Sequence, residues 1–137
     1  MSTSAMTRRR FLQSTAILSQ TVGTQVVGTA AEPNPITALF SVTVKKDKAR
    51  EFRALAERLR RVTLNEDDGC LAYVFMQQQD KEDEYVLFEQ WRDQRALDAH
   101  IAHLQRLLGP PGAGGRIPKA FLDMCESTRV VRYRTVG

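Results

Sequence analysis

The chain has 137 residues, 42% of them hydrophobic and 26% charged, which fits one globular domain and excludes a collagen-like, disulfide-rich or wholly disordered polymer. No apolar run approaches the ~18–20 residues that a membrane span needs, so no stable membrane span is expected. The formal charge of +4 loses meaning once Arg8, Arg9 and Arg10 are set aside, because seventeen basic residues then face sixteen acidic ones, and nucleic acid is not an expected partner.

Residues 1–31 read as an address. Arg8-Arg9-Arg10-Phe11-Leu12 precedes a mild apolar stretch from about Ala16 to Val27, and Thr29-Ala30-Ala31 offers small residues for cleavage before Glu32-Pro33. That order matches a twin-arginine (Tat) signal, which implies export of an already folded protein to the periplasm or cell envelope. Residues 32–35 would then be a short linker and residues 36–136 the folded domain.

Ile36 to Lys45 is β-branched and aromatic, with Phe40, Val42 and Val44 alternating, and reads as a strand. From Asp47 a helical pattern takes over: Phe52, Leu55, Ala56, Leu59 and Val62 recur at three- and four-residue steps until Asp67-Asp68-Gly69 closes it. Cys70 to Met76 is a second strand, Asp80 to Asp83 a polar turn, and Tyr85 to Trp91 a third strand. Asp93 caps the next helix, with Leu97, Ile101, Leu104 and Leu108 on one stripe. Gly109 to Gly115 is a Gly/Pro loop, Ile117 to Cys125 a short helix, and Thr128 to Val136 the last strand.

The order β-α-β-β-α-(α)-β is that of an α+β, ferredoxin-like split βαβ domain with a four-stranded antiparallel sheet. Leu71, Tyr73 and Phe75 are expected on one face of the second strand, with Ala72, Val74 and Met76 on the other. Both faces are apolar, yet the helices cover only one. The bare face is expected to join a homodimer, since monomers seldom expose a large apolar patch.

Ile36-Thr37, Asp68-Gly69-Cys70 before Tyr73, Glu89-Gln90-Trp91 and Ala96-Leu97-Asp98-Ala99-His100 together resemble the antibiotic biosynthesis monooxygenase (ABM) family, especially its quinol-monooxygenase-like members. The resemblance covers residues 36–136. It implies a dimeric α/β barrel and oxidation of a quinol, phenol or similar small aromatic by O2, without a cofactor. It also leaves open a non-catalytic ligand-binding protein or a haem-binding or haem-degrading member of the same fold. Members acting on polyketide aromatics carry Asn and Tyr where this chain has Leu87 and Leu97, and haem-degrading members carry an Asn on the first strand that is missing here. The insertion from Gly109 to Arg116 is either a lid or a surface loop.

The chemistry such an enzyme needs narrows the candidates. Triplet O2 reacts slowly with a closed-shell phenol, so a base must first make the electron-rich phenolate. The two histidines, His100 and His103, lie three apart on one helix and so neighbour each other, and imidazole is the side chain best poised for proton transfer near neutral pH. They are the candidate catalytic residues, with Trp91, Tyr85, Phe88, Glu89 and Tyr73 the candidate substrate pocket. Equally, each histidine suits a packed residue with one satisfied hydrogen bond. Two imidazoles fall short of the three or four ligands zinc wants, so no metal is expected. Glu89, among apolar strand residues, must be paired or protonated if buried, and pairing with Arg132 or Arg134 is expected. Cys70 and Cys125 are expected to be free thiols.

Overall fold

The computed structural model describes residues 34–137. Residues 1–31, read above as an export signal, and residues 32 and 33 of the linker lie outside the described residues. Strand β1 (Ile36–Val44) leads through a short 3-10 turn at Lys46–Lys48 into helix α1 (Ala49–Glu66). Strands β2 (Cys70–Gln77) and β3 (Glu84–Trp91) form a hairpin, followed by α2 (Gln94–Leu108), the short α3 (Lys119–Leu122) and β4 (Cys125–Arg134). All strand pairs are antiparallel in the order β2-β3-β1-β4, the ferredoxin-like α+β arrangement read from the sequence.

Alternation along the strands decides the faces. Ala38, Phe40, Val42 and Val44 of β1 are buried toward the helices, as are Tyr85, Leu87 and Trp91 of β3. Phe52, Ala56 and Leu59 of α1 and Leu97, Ile101 and Leu104 of α2 complete that core. The opposite face carries Val74, Met76 and Tyr133 in exposed positions, with Leu39, Val86, Phe88 and Val131 half-buried among them. No helix covers it among the described residues.

Two details depart from the sequence reading. A register shift between Cys70 and Ala72 leaves Leu71 without a strand partner. This bulge turns Leu71 outward, 53% exposed, while Cys70 packs against the core in its place. Second, β4 begins at Cys125, three residues before Thr128. Cys125 pairs with Val44, and a second shift then skips Glu126. Backbone pairing to β1 carries this polar start, which side-chain patterning does not reveal.

Asp93 accepts a hydrogen bond from the Ala96 N–H at 2.8 Å and so caps α2 as expected. The insertion folds back on itself, with Gly112 N–H donating to the Ile117 carbonyl at 2.9 Å. A Cβ at Gly112 would stand 2.7 Å from the end of the Leu122 side chain, so glycine lets these two pack without a shift of that leucine. The thiols of Cys70 and Cys125 are free, and burial pushes each up to about 11, where neither is a nucleophile at neutral pH.

Candidate active site

One row of residues crosses the helix-facing side of the sheet. Tyr73 on β2 stands opposite Glu89 on β3, Glu89 opposite Ala38 on β1, and Ala38 opposite Arg132 on β4. Alanine is the small member of this row, and the space above it stays empty. The resulting cavity holds about 380 Å³, within the range of small-molecule sites. Phe40, Leu87 and Val130 extend its floor, Leu97, His100, Ile101 and Leu104 of α2 form its roof, and Arg116 at the end of the insertion forms a wall with Ile117 and Pro118, which follow it. The insertion is therefore part of the cavity and not only a surface loop.

His100 is the histidine that meets this cavity. It is 2% exposed, with its ring centroid 4.4 Å from Trp91 and 5.3 Å from Tyr73. Its Nδ1 lies 2.5 Å from Asp67 Oδ2. The other oxygen of that carboxylate, Oδ1, lies 2.5 Å from Nδ1 of His103. A carboxylate only accepts, so each Nδ1 carries the shared proton, and Asp67 fixes the His100 tautomer with its Nε2 lone pair unprotonated. Burial holds His100 below its ordinary value of 6.5, outweighing the opposing pull of Asp67. The ring is thus held toward its neutral form, with Nε2 left as its acceptor nitrogen, where it lines the cavity.

Asp67 escaped the sequence reading, where it served only to close a helix. Its backbone N–H donates to the Thr63 carbonyl at 3.0 Å, ending α1 and placing its side chain, 8% exposed, beneath α2. Gly69, at φ +82°, allows the chain to turn there, and a Cβ at that position would stand 2.7 Å from that of Ala96. The pairing spans 33 residues of sequence, and no local signal announces it.

The remaining candidates separate. Glu89 and Tyr73 line the cavity. Glu89 makes no ion pair with Arg132 or Arg134 among the described residues, contrary to expectation. It accepts instead from Trp91 Nε1 at 3.1 Å, because Arg132 is two strands away in the row, and burial raises its carboxyl above the usual range despite that bond and the charge of Arg132. Tyr73, bonded to Thr63, is pushed well above the phenol range by burial. Trp91 backs the His100 ring from outside the cavity. Tyr85 lies toward the other end of β3 and takes a hydrogen bond from Arg53 at 3.0 Å, and Phe88 points to the opposite face of the sheet. Neither lines the cavity. His103, 15% exposed at its side chain, lines a separate polar hollow with Glu66, Arg92, Arg95 and Arg106. Among the described residues no group of three or more acidic, Cys or His side chains is arranged to hold a metal.

Residues 35–106 match the antibiotic biosynthesis monooxygenase family. The chain belongs to that family. An uncharacterized protein of Synechocystis is 34% identical over 68 residues, covering 50% of this chain and 46% of the relative. The chain therefore matches about half the length of that curated protein. Among solved structures, a conserved Bacteroides thetaiotaomicron protein of unknown function, described as a possible oxidoreductase, superposes with a TM-score of 0.61 at 19% identity, covering 75% of this chain and 99% of that one. A provisionally named antibiotic biosynthesis monooxygenase of Caulobacter crescentus gives 0.60 at 19% identity, covering 77% and 93%. At such identities these structures show the ABM fold alone.

Proposed function

We propose that this ABM protein is a monooxygenase that oxidises a quinol, phenol or similar small aromatic with O2 without a cofactor, and that His100 is its base. One observation carries the reading: a buried imidazole that lines a largely apolar cavity while a buried carboxylate holds its Nδ1. The phenolic proton passes to Nε2, and Asp67 stabilises the imidazolium that forms. The phenolate gives one electron to O2, the radical pair recombines with a new C–O bond, and the peroxide collapses by losing water and leaving a carbonyl. For phenol itself the balance is phenol plus O2 giving benzoquinone plus water. The aromatic side chains and the weakly solvated cavity hold a flat ring near the base, and Trp91 keeps the imidazole in place.

The test is oxygen uptake by the purified protein with a panel of hydroquinones and phenols, with His100→Ala as the control. Uptake that requires His100, with quinone formed in step, is the expected result. Uptake unchanged in His100→Ala discards the assignment.

Two further parts of the reading rest on other residues. The uncovered face around Val74, Met76, Phe88 and Tyr133 suits a second copy of this chain, as in a dimeric barrel, and a monomer in sedimentation at micromolar concentration contradicts this. Arg8-Arg9 and the apolar stretch behind them support export to the periplasm or cell envelope, where quinols and phenolics are available. A reporter fused after residue 35 that reaches the periplasm equally well with both arginines changed to lysine contradicts it.

A further inference from the structure

The mouth of the cavity has a charge that neither His100 nor the oxygenase chemistry uses. Val130 and Arg132 are exposed although they belong to the helix-facing row of β4, so the cavity opens at this edge. Arg116, from the end of the insertion, lines the same space. A single network on α2 holds both guanidinium groups. Arg132 Nη1 donates to Gln94 Oε1 at 3.3 Å, Gln94 Nε2 donates to Asp98 Oδ1 at 2.8 Å, and Arg116 Nη1 donates to that same oxygen at 2.9 Å. Gln94 and Asp98 are four residues apart and therefore share one helix face. Two guanidinium charges meet one carboxylate in this network, which leaves a surplus of one positive charge. Among the described residues each arginine bonds the helix through Nη1 alone, which leaves Nη2 and Nε for another acceptor. The carboxyl inside the cavity, Glu89, accepts from Trp91 Nε1 and stands two strands away from Arg132, so it pairs with neither guanidinium group.

We propose that the cavity takes an aromatic acid, whose anionic group docks on Arg116 and Arg132 while its phenolic end reaches His100. This rests on the reading of the cavity as a phenol site and adds the charge of the substrate to it. The dimensions agree. Arg132 and Tyr73 terminate the four-residue row, three strand spacings or about 14 Å apart along the sheet. The arginine side chains span part of that length from the mouth and His100 sits beside Tyr73 at the far end, so a single substituted ring bridges the remainder. Guanidinium recognises carboxylate through paired, planar hydrogen bonds, and a largely apolar cavity with two guanidinium groups at its entrance orients an amphiphilic guest one way round.

The experiment titrates the full chain by calorimetry with 2,5-dihydroxybenzoate and with its methyl ester, which keeps the ring and hydroxyls and removes the charge. The acid is expected to bind about 10- to 100-fold more tightly, the size of a hydrogen bond to a charged group. Arg132→Gln and Arg116→Gln should each erase most of the preference, and Arg132→Lys should keep part of it. Both positions are exposed, so an unchanged thermal midpoint is expected for each variant. Equal affinity for acid and ester, no binding of either probe, or a preference intact in the double variant overturns the proposal. Oxygen uptake separates it from the oxygenase reading. Arginine-dependent binding of the acid with no oxygen consumed supports the docking site and removes the oxygenase, whereas acid and ester consumed at equal rates does the reverse.

Discussion

His100 and His103 are the same residue type, one helical turn apart, bonded through the same ring nitrogen to the two oxygens of one carboxylate. Their surroundings share nothing else. One ring lies between Trp91 and Tyr73 and looks into an apolar cavity, while the other faces a hollow of acidic and guanidinium groups, 3.6 Å from Glu66. Asp67 is the partition between these two compartments. Reactivity here is a property of what surrounds an imidazole, and the pair contains its own control.

The sharpest way to break the comparison is to remove each ring in turn. His100→Ala should lower turnover by about 10²–10⁴-fold, the usual contribution of a general base. His103→Ala should cost less than about tenfold, since His103 acts only by positioning Asp67. Steady-state rates that fall equally in both variants would erase the distinction.

Asp67→Asn should impair both sides at once. The amide cannot accept two N–H bonds as a carboxylate does, and each charged hydrogen bond is worth about 1.5–3 kcal/mol. Denaturant titration should show a loss of at least one such bond, and turnover should fall because the His100 tautomer is no longer held. Gly69→Ala attacks the same partition through the backbone. Its positive φ and the crowding against Ala96 predict a loss of about 1–3 kcal/mol in the same titration.

The smallest effect is in the pH profile. An imidazole in the role proposed for His100 works only when neutral, and burial holds His100 below 6.5. The kcat/KM profile should therefore rise with pH to a plateau, with its midpoint below 6.5. Stability has the same sign. As pH falls below 6.5, the unfolded chain takes up a proton on this residue before the folded chain does, so unfolding becomes easier. Glu89 works in the opposite sense. Its raised folded value favours the folded state below 4.5, and that contribution is lost as pH rises through the folded value. Thermal midpoints measured between pH 4 and 8, with Glu89→Gln to isolate the second group, check both signs.

The element order was legible because hydrophobic alternation and three-to-four spacing are local signals, strong at Phe40-Val42-Val44 and at Leu97-Ile101-Leu104. The bulge at Leu71 was not, since a register shift leaves the side-chain pattern intact and is decided by β3. Half of the site was legible: imidazole chemistry and the helix that carries it follow from residue type and spacing. The partner of both rings, the empty space above Ala38 and the failure of Glu89 to reach Arg132 all depend on which strands become neighbours. Phe88 was misplaced for a simpler reason. Strand parity separates it from Tyr85, Leu87 and Glu89, and only a known inner face says which set looks inward.

Asp67 follows the last residue of α1 directly, and this makes the length of that helix a ruler for the chemistry. Each added residue turns the end of a helix by about 100° and advances it about 1.5 Å. One inserted or deleted residue anywhere along eighteen would swing the carboxylate away from both rings, even with every other side chain retained. A change of length in a loop elsewhere leaves the carboxylate where it is, but that helix must keep its count.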